Sequence, residues 1–258
     1  MATIITVSNQ KGGVGKTTTS AALATGLVAS GKRVLGVDLD PQGNLGFCLG
    51  LEASNGPTVL DALKKIMPVR EAIRNTNYCD ILSSDITLSN GLNVEISGPR
   101  ECILRDTLEP VMNEYDYIII DTPPALNLLT VNAYTVSDYL VIPMASDILS
   151  LVGLSQLKET IDGVRTSLNP DLHVLGILLN RFNGRTLLSR DVLEMAEQLA
   201  EQIGTVVFDT KIRNGVAIAE APAHGESIFD YNFRSPAVQD YDAFVREVIG
   251  LIGSRKEA

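Results

Sequence analysis

Apolar, β-branched runs recur along the chain at Thr3–Ser8, Arg33–Asp38, Tyr117–Asp121, Tyr139–Ala145, His173–Asn180 and Thr205–Phe208. Between them the spacing of apolar residues turns helical, over Thr17–Ser30, Cys102–Asn113, Ser150–Ser167 and Leu187–Ile203. Strands that alternate with helices predict an α/β fold with a mostly parallel twisted sheet, covered by helices on both faces. Near the end, Val238, Tyr241, Phe244, Val245, Val248, Ile249 and Ile252 stand three or four apart, the stripe of a helix packed on a core. No Pro/Gly/Ser-rich linker, low-complexity tract or repeat period interrupts the pattern, so residues 1–258 are expected to form one domain.

Composition narrows the class. A chain of 258 residues with 45% hydrophobic and 20% charged positions can bury a large core, which excludes a disordered protein. The net charge of −10 excludes a surface that is basic throughout, so any polyanion would have to meet a local patch. Cys48, Cys79 and Cys102 show no C-x-x-C spacing and signal neither a disulfide framework nor a cluster site. No run of about 20 apolar residues is present, and Met1–Gln10 lacks a basic stretch before its apolar residues. A cytoplasmic protein is the expectation.

The first strand runs into Gln10-Lys11-Gly12-Gly13-Val14-Gly15-Lys16-Thr17-Thr18, and a helix of small residues follows. Glycines let the backbone turn and aim successive N–H groups at phosphate oxygens, while the helix N-terminus adds its positive dipole end. Lys16 would reach the β- and γ-phosphates and Thr17 would place its hydroxyl on Mg²⁺. The usual G-x-x-x-x-G-K-[ST] pattern is not met, since Gln10 stands at its first glycine and Lys11 is an additional lysine. A dinucleotide fingerprint would need glycine where Thr18 stands, so a mononucleotide loop is the better match and the expectation sharpens to a P-loop fold.

Three carboxylates belong to the same end of the sheet, because ligands of open α/β sheets sit at the carboxyl ends of the strands. Asp121 ends the apolar run Tyr117–Ile120 and suits a residue that holds a metal through its water shell. Asp38 ends the second strand and joins Thr17 and Asp121 as the residues expected around the metal. Asp40, in Asp38-Leu39-Asp40-Pro41-Gln42-Gly43-Asn44, could orient or deprotonate an attacking water. Alone that segment is turn chemistry; beside a phosphate loop it reads as catalysis.

On these segments the chain resembles the ParA/Soj partition ATPases, within the deviant Walker A group of P-loop ATPases that also contains MinD. The resemblance is carried by Lys11–Thr18, by Val37–Asn44 and by Ile119-Ile120-Asp121-Thr122-Pro123-Pro124-Ala125-Leu126-Asn127-Leu128-Leu129-Thr130-Val131-Asn132-Ala133. Weaker matches start at Ile86-Thr87-Leu88 and at Ala219-Glu220-Ala221-Pro222-Ala223-His224-Gly225. It implies Mg²⁺-dependent hydrolysis of ATP to ADP and phosphate by a homodimer that sandwiches its nucleotides. Lys11 would cross to the partner's phosphates, and Gly12, Gly13, Val14, Gly15, Lys16, Thr17 and Thr18 would cradle them in cis. Asp40 would activate water, and Asn180 and Arg181 match the region that contacts adenine.

The resemblance further implies nonspecific DNA binding in the ATP-loaded state, nucleoid association, and release by a ParB-type partner that stimulates hydrolysis. The cargo would be a plasmid, a chromosome or another large assembly. Arg185, Arg190, Arg213 and Arg234 are the expected DNA contacts, with Arg255 and Lys256 behind them; many relatives carry a further arginine where Ala217 stands. Two rival readings are a membrane-associated MinD-like positioning ATPase and a metabolic P-loop enzyme. The tail Gly253–Ala258 is too polar and short to bury an apolar face on a membrane, and the cysteines offer no cluster ligands. No membrane partner is expected.

Overall fold

The chain opens on β1 (Thr3–Val7), all of it buried, and continues through α1 (Lys16–Ala29), β2 (Val34–Asp38) and α2 (Asn44–Cys48). Short elements follow: α3 (Val59–Leu63), α4 (Val69–Ala72), β3 (Arg74–Asn75), β4 (Asp80–Leu82), α5 (Leu88–Gly91) and α6 (Ile103–Leu108). Then come β5 (Tyr117–Asp121), α7 (Leu128–Val136), β6 (Tyr139–Ala145), α8 (Ile148–Ser167), β7 (His173–Asn180) and α9 (Leu187–Ile203). The chain closes with α10 (Val216–Glu220), α11 (Ile228–Asn232) and α12 (Pro236–Lys256). This computed structural model describes residues 1–51, 56–91 and 99–256; Glu257 and Ala258 of the polar tail lie outside them.

The strands form one sheet in the order β3-β4-β2-β5-β1-β6-β7, parallel throughout except for the β3–β4 edge. Consecutive strand residues point to opposite faces, and each face has its own core. Ile118 and Ile120 of β5 and Leu140, Ile142 and Met144 of β6 join the side packed by α6, α7, α8 and α9. Ile119 and Val141 join the side packed by α1 and α12, where the Val238–Ile252 stripe is buried except for Ile249, which is partly covered. Each fully buried isoleucine contributes about 2 kcal/mol of transfer free energy, so the two cores together hold the central strands between them.

Two sequence expectations change. Thr205–Phe208 is not a strand: among the described residues the segment makes one isolated bridge, Val207 with Ile177. Its apolar signal comes from Phe208, fully buried under β7 and edge-on to Phe244 at 5.0 Å. Gly176 makes room for it, as a Cβ there would lie 2.7 Å from the Phe208 ring. The helix expected over Cys102–Asn113 is only six residues of α6 between two 3₁₀ turns, the second carrying Pro110, which cannot donate to a helical ladder. The edge strands β3 and β4 escaped the sequence reading because two or three residues are too few to show a period.

Candidate nucleotide site

The loop between β1 and α1 lies where β1 ends, flanked by β5 and β6. Gly13 (φ 72°) and Gly15 (φ 93°) hold left-handed backbone that side chains resist, and Gly15 caps α1. A Cβ at Gly15 would also lie 2.7 Å from Asn180 Nδ2. Gly12 and Gly13 are exposed and Val14 is buried, so the loop is anchored underneath and open above. Lys16 begins α1 and is only 6% exposed; its Nζ donates to the Lys11 carbonyl at 3.0 Å.

Asp38 and Asp121 face each other as register partners at the ends of β2 and β5, both fully buried. Asp121 accepts from Thr17 Oγ1 at 2.7 Å and from Ser20 Oγ at 3.0 Å, which ties the first turn of α1 to β5. Asp38 accepts from the backbone N–H groups of Asp40 and Leu45 and so folds the 38–45 turn. Asp40, 8% exposed, accepts from the Gln42 N–H at 3.0 Å within that turn.

Burial raises the Asp121 carboxyl to about 6, against the pull of Thr17, Ser20 and Lys16. Asp38 is pushed well above the carboxylate range by desolvation and then by the charge of Asp121. Desolvation lowers Lys16 from its usual value, while Asp121 and Asp40 draw it back up. Both signs of charge are therefore disfavoured in one dry corner, a state that a polyphosphate with a divalent cation reverses. Among the described residues no three His, Cys, Asp or Glu side chains gather as a metal cage. A hydroxyl, phosphate oxygens and waters suit Mg²⁺ better than such a cage, and Thr17 beside Asp121 supplies the hydroxyl.

Beside the loop, a cavity of about 410 Å³ is walled by Gly15, Thr18, Asn180, Arg181 and Tyr241. Asn180 donates from Nδ2 to the Val14 carbonyl at 2.7 Å, and among the described residues its buried Oδ1 has no partner. An unsatisfied buried acceptor fits a base that presents an amine. Arg181 holds a left-handed backbone (φ 55°), a strained conformation of the kind that collects at ligand sites.

Over residues 2–174 the chain matches the family described as AAA domain. Chromosome partitioning protein ParA of Myxococcus xanthus is 41% identical over 251 residues, which span 95% of this chain and 87% of that protein. Sporulation initiation inhibitor protein Soj of Bacillus subtilis is 42% identical over 253 residues, 96% of this chain and 98% of that one. The chain belongs to the ParA/Soj family of partition ATPases. Among solved structures, Mycobacterium smegmatis cobyrinic acid a,c-diamide synthase with bound ADP and magnesium matches with a TM-score of 0.80 at 31% identity, covering 95% of this chain and 93% of that one. An aspartate-to-alanine variant of Cyanothece McdA in complex with ATP matches at 0.84 and 25% identity, covering 96% of each chain.

In this ParA/Soj chain Lys11 lies beside the loop in an ion pair with Asp147 (2.6 Å) and within 3.1 Å of Ser150 Oγ. Sequence reasoning passed over both partners. Their signal was the Asp-x-x-Ser spacing at the start of α8, where Asp147 is the N-cap and accepts from the Ser150 N–H. Ser20, one helical turn beyond Lys16, was passed over for want of any motif.

The expected DNA residues divide. Arg185 and Arg213 wall a second cavity, and Arg190 donates to the Gly184 carbonyl at its edge. Arg234 is exposed between α11 and α12 and walls neither cavity. Arg255 lies 6.0 Å over the Tyr139 ring, at the opposite end of the sheet from the phosphate loop.

Proposed function

We propose that this chain is a Mg²⁺-dependent ATPase that dimerises when ATP-loaded, binds DNA without sequence preference in that state, and is released when a ParB-type adaptor stimulates hydrolysis. The observation that carries the reading is the buried corner of Lys16, Thr17, Asp38, Asp40 and Asp121, in which opposite charges are held dry beside an anion-binding helix terminus. ATP and Mg²⁺ are the cofactors, and adenine fits because its exocyclic amine suits the orphan Asn180 Oδ1, whereas guanine would turn a carbonyl toward it.

In this reading the loop N–H groups and Lys16 bind and orient the phosphates, Thr17 coordinates the metal, and Asp121 fixes the Thr17 hydroxyl. When bound, Mg²⁺ neutralises charge that develops on the transferred phosphoryl group. Asp40 orients the attacking water and takes its proton. Lys11 leaves Asp147 and Ser150 to reach the partner subunit's phosphates. Ile148, next to Asp147 and 58% exposed, gives that surface an apolar anchor. The protein acts in the cytoplasm on the nucleoid; among the described residues no helix is long and apolar enough to cross a membrane.

The test is sedimentation of the Asp40→Ala protein with ATP, alone, with mixed-sequence duplex and with anionic liposomes. Dimers that retain DNA and ignore liposomes are expected. Dimers that pellet with liposomes and not with DNA would transfer the protein to the membrane-positioning class, and monomers that merely hold ATP would point to a metabolic enzyme.

A further inference from the structure

A cationic cleft of about 530 Å³ adjoins the base cavity, walled by Phe182, Asn183, Arg185, Lys211, Arg213 and Asn214. Among the described residues Asp240 is the one carboxylate in its wall. Among the described residues Arg185 and Lys211 form no ion pair; Lys211 Nζ donates instead to the Asp209 carbonyl at 3.1 Å, which orients the ammonium without cancelling its charge. Arg213 is different. Its backbone N–H, Nε and Nη2 all donate to the Asp240 carboxylate, at 3.1, 2.8 and 2.7 Å. The guanidinium side is 58% exposed and the carboxylate only 13%, so Asp240 is held by α12 while Arg213 faces solvent.

We propose that Asp240 is a brake on DNA binding: it neutralises Arg213 in the resting protomer, and the cleft acts with its full charge only when Arg213 exchanges Asp240 for a DNA phosphodiester. The inference rests on the DNA-binding reading above and names how that surface is regulated. A phosphodiester presents the same two-oxygen edge to a guanidinium as a carboxylate does, so the exchange keeps the forked hydrogen bonds. The guanidinium side of the pair is open to solvent, so a polyanion can reach Arg213 and compete with Asp240 for it. α12 also links the brake to the nucleotide. The residue after Asp240 is Tyr241, whose hydroxyl lies 3.3 Å from Thr19 Oγ1 on the phosphate-loop helix, and Arg213 and Asn214 wall the base cavity as well.

The experiment uses the full chain carrying Asp40→Ala, loaded with ATP, on a mixed-sequence duplex across a salt titration. Adding Asp240→Asn keeps an acceptor for the Arg213 N–H and leaves ATP-dependent dimerisation unchanged in sedimentation. It tightens DNA binding about tenfold at about 50 mM salt and steepens the slope of log affinity against log salt by about one per protomer, since the cleft carries one more unit of net positive charge. Adding Arg213→Gln to that variant abolishes the gain. Weaker DNA binding by Asp240→Asn would make Asp240 a support for Arg213, and an unchanged affinity or a gain that survives without Arg213 would make it a bystander charge; each of these overturns the brake. If the parent protein dimerises and retains no DNA even at low salt, the DNA reading itself fails.

Discussion

Strands β2 and β5 carry charges at both of their ends, and the two ends behave in opposite ways. At the amino ends Arg33 and Asp116 meet in the open: Asp116 accepts from the Arg33 backbone N–H at 2.8 Å and from its guanidinium at 3.0 Å. These bonds hold the Asp116 carboxyl down at about 2. At the carboxyl ends Asp38 and Asp121 are fully buried, face each other in register and are pushed up rather than down. One end is satisfied by the chain itself and lies in water. The other concentrates like charges where no water can screen them, a conflict that a fold tolerates where a ligand resolves it.

The largest effect that would break this contrast is expected from Lys16→Ala, which removes the cation that draws on Asp121 and that the proposed site turns to the phosphates. ATP affinity should fall about a hundredfold, the loss expected for a hydrogen bond between charged groups. Near-normal affinity in titration calorimetry would mean that the buried corner is only structural. Asp40→Ala should leave ATP affinity within a few-fold and slow turnover about a hundredfold, because general-base assistance is lost while the cradle stays; equal turnover would reduce Asp40 to a turn residue.

Lys11→Ala sharpens the comparison, since Lys11 is only partly buried and its resting partner Asp147 is half exposed. The ATP-dependent dimer should weaken about tenfold, in line with one charge-assisted contact per subunit, with monomer ATP affinity unchanged. Sedimentation of a full dimer by this variant would contradict the proposed crossing of Lys11 to the partner subunit. Smallest is Arg33→Ala at the opposite end of the strands. A carboxyl held below its unfolded value of 3.8 adds stability that is present above that value and lost as pH falls through about 2. The variant should therefore let the Asp116 titration, followed by carboxyl NMR, rise from about 2 toward 3.8, and lose the small stability that this surface pair adds at neutral pH, while ATP binding stays as it was.

How far the sequence reaches can be seen residue by residue. Tyr117–Asp121, Tyr139–Ala145 and His173–Asn180 were legible to the residue as strands, because two-sided burial makes each an unbroken apolar run with no other use for its side chains. Lys11–Thr18 was legible as a phosphate loop, because backbone that must turn left-handed and approach an anion admits few residues other than glycine. Thr205–Phe208 misled, since an apolar residue shows that it is buried and not which partner buries it.

What the chain determined by itself is therefore local: strand and helix periods, the turn at Gly13 and Gly15, and the acids that end β2 and β5. Tertiary structure alone decided which of those charges meet. Asp38 and Asp121 are 83 residues apart in sequence and become neighbours through the register of β2 with β5. Lys11 finds Asp147 across 136 residues, and Arg213 finds Asp240 across 27. Such pairs depend on strand order and helix placement, which summed apolar burial over the whole sheet decides, and a charge leaves no periodic mark in the sequence of the distant segment it will face.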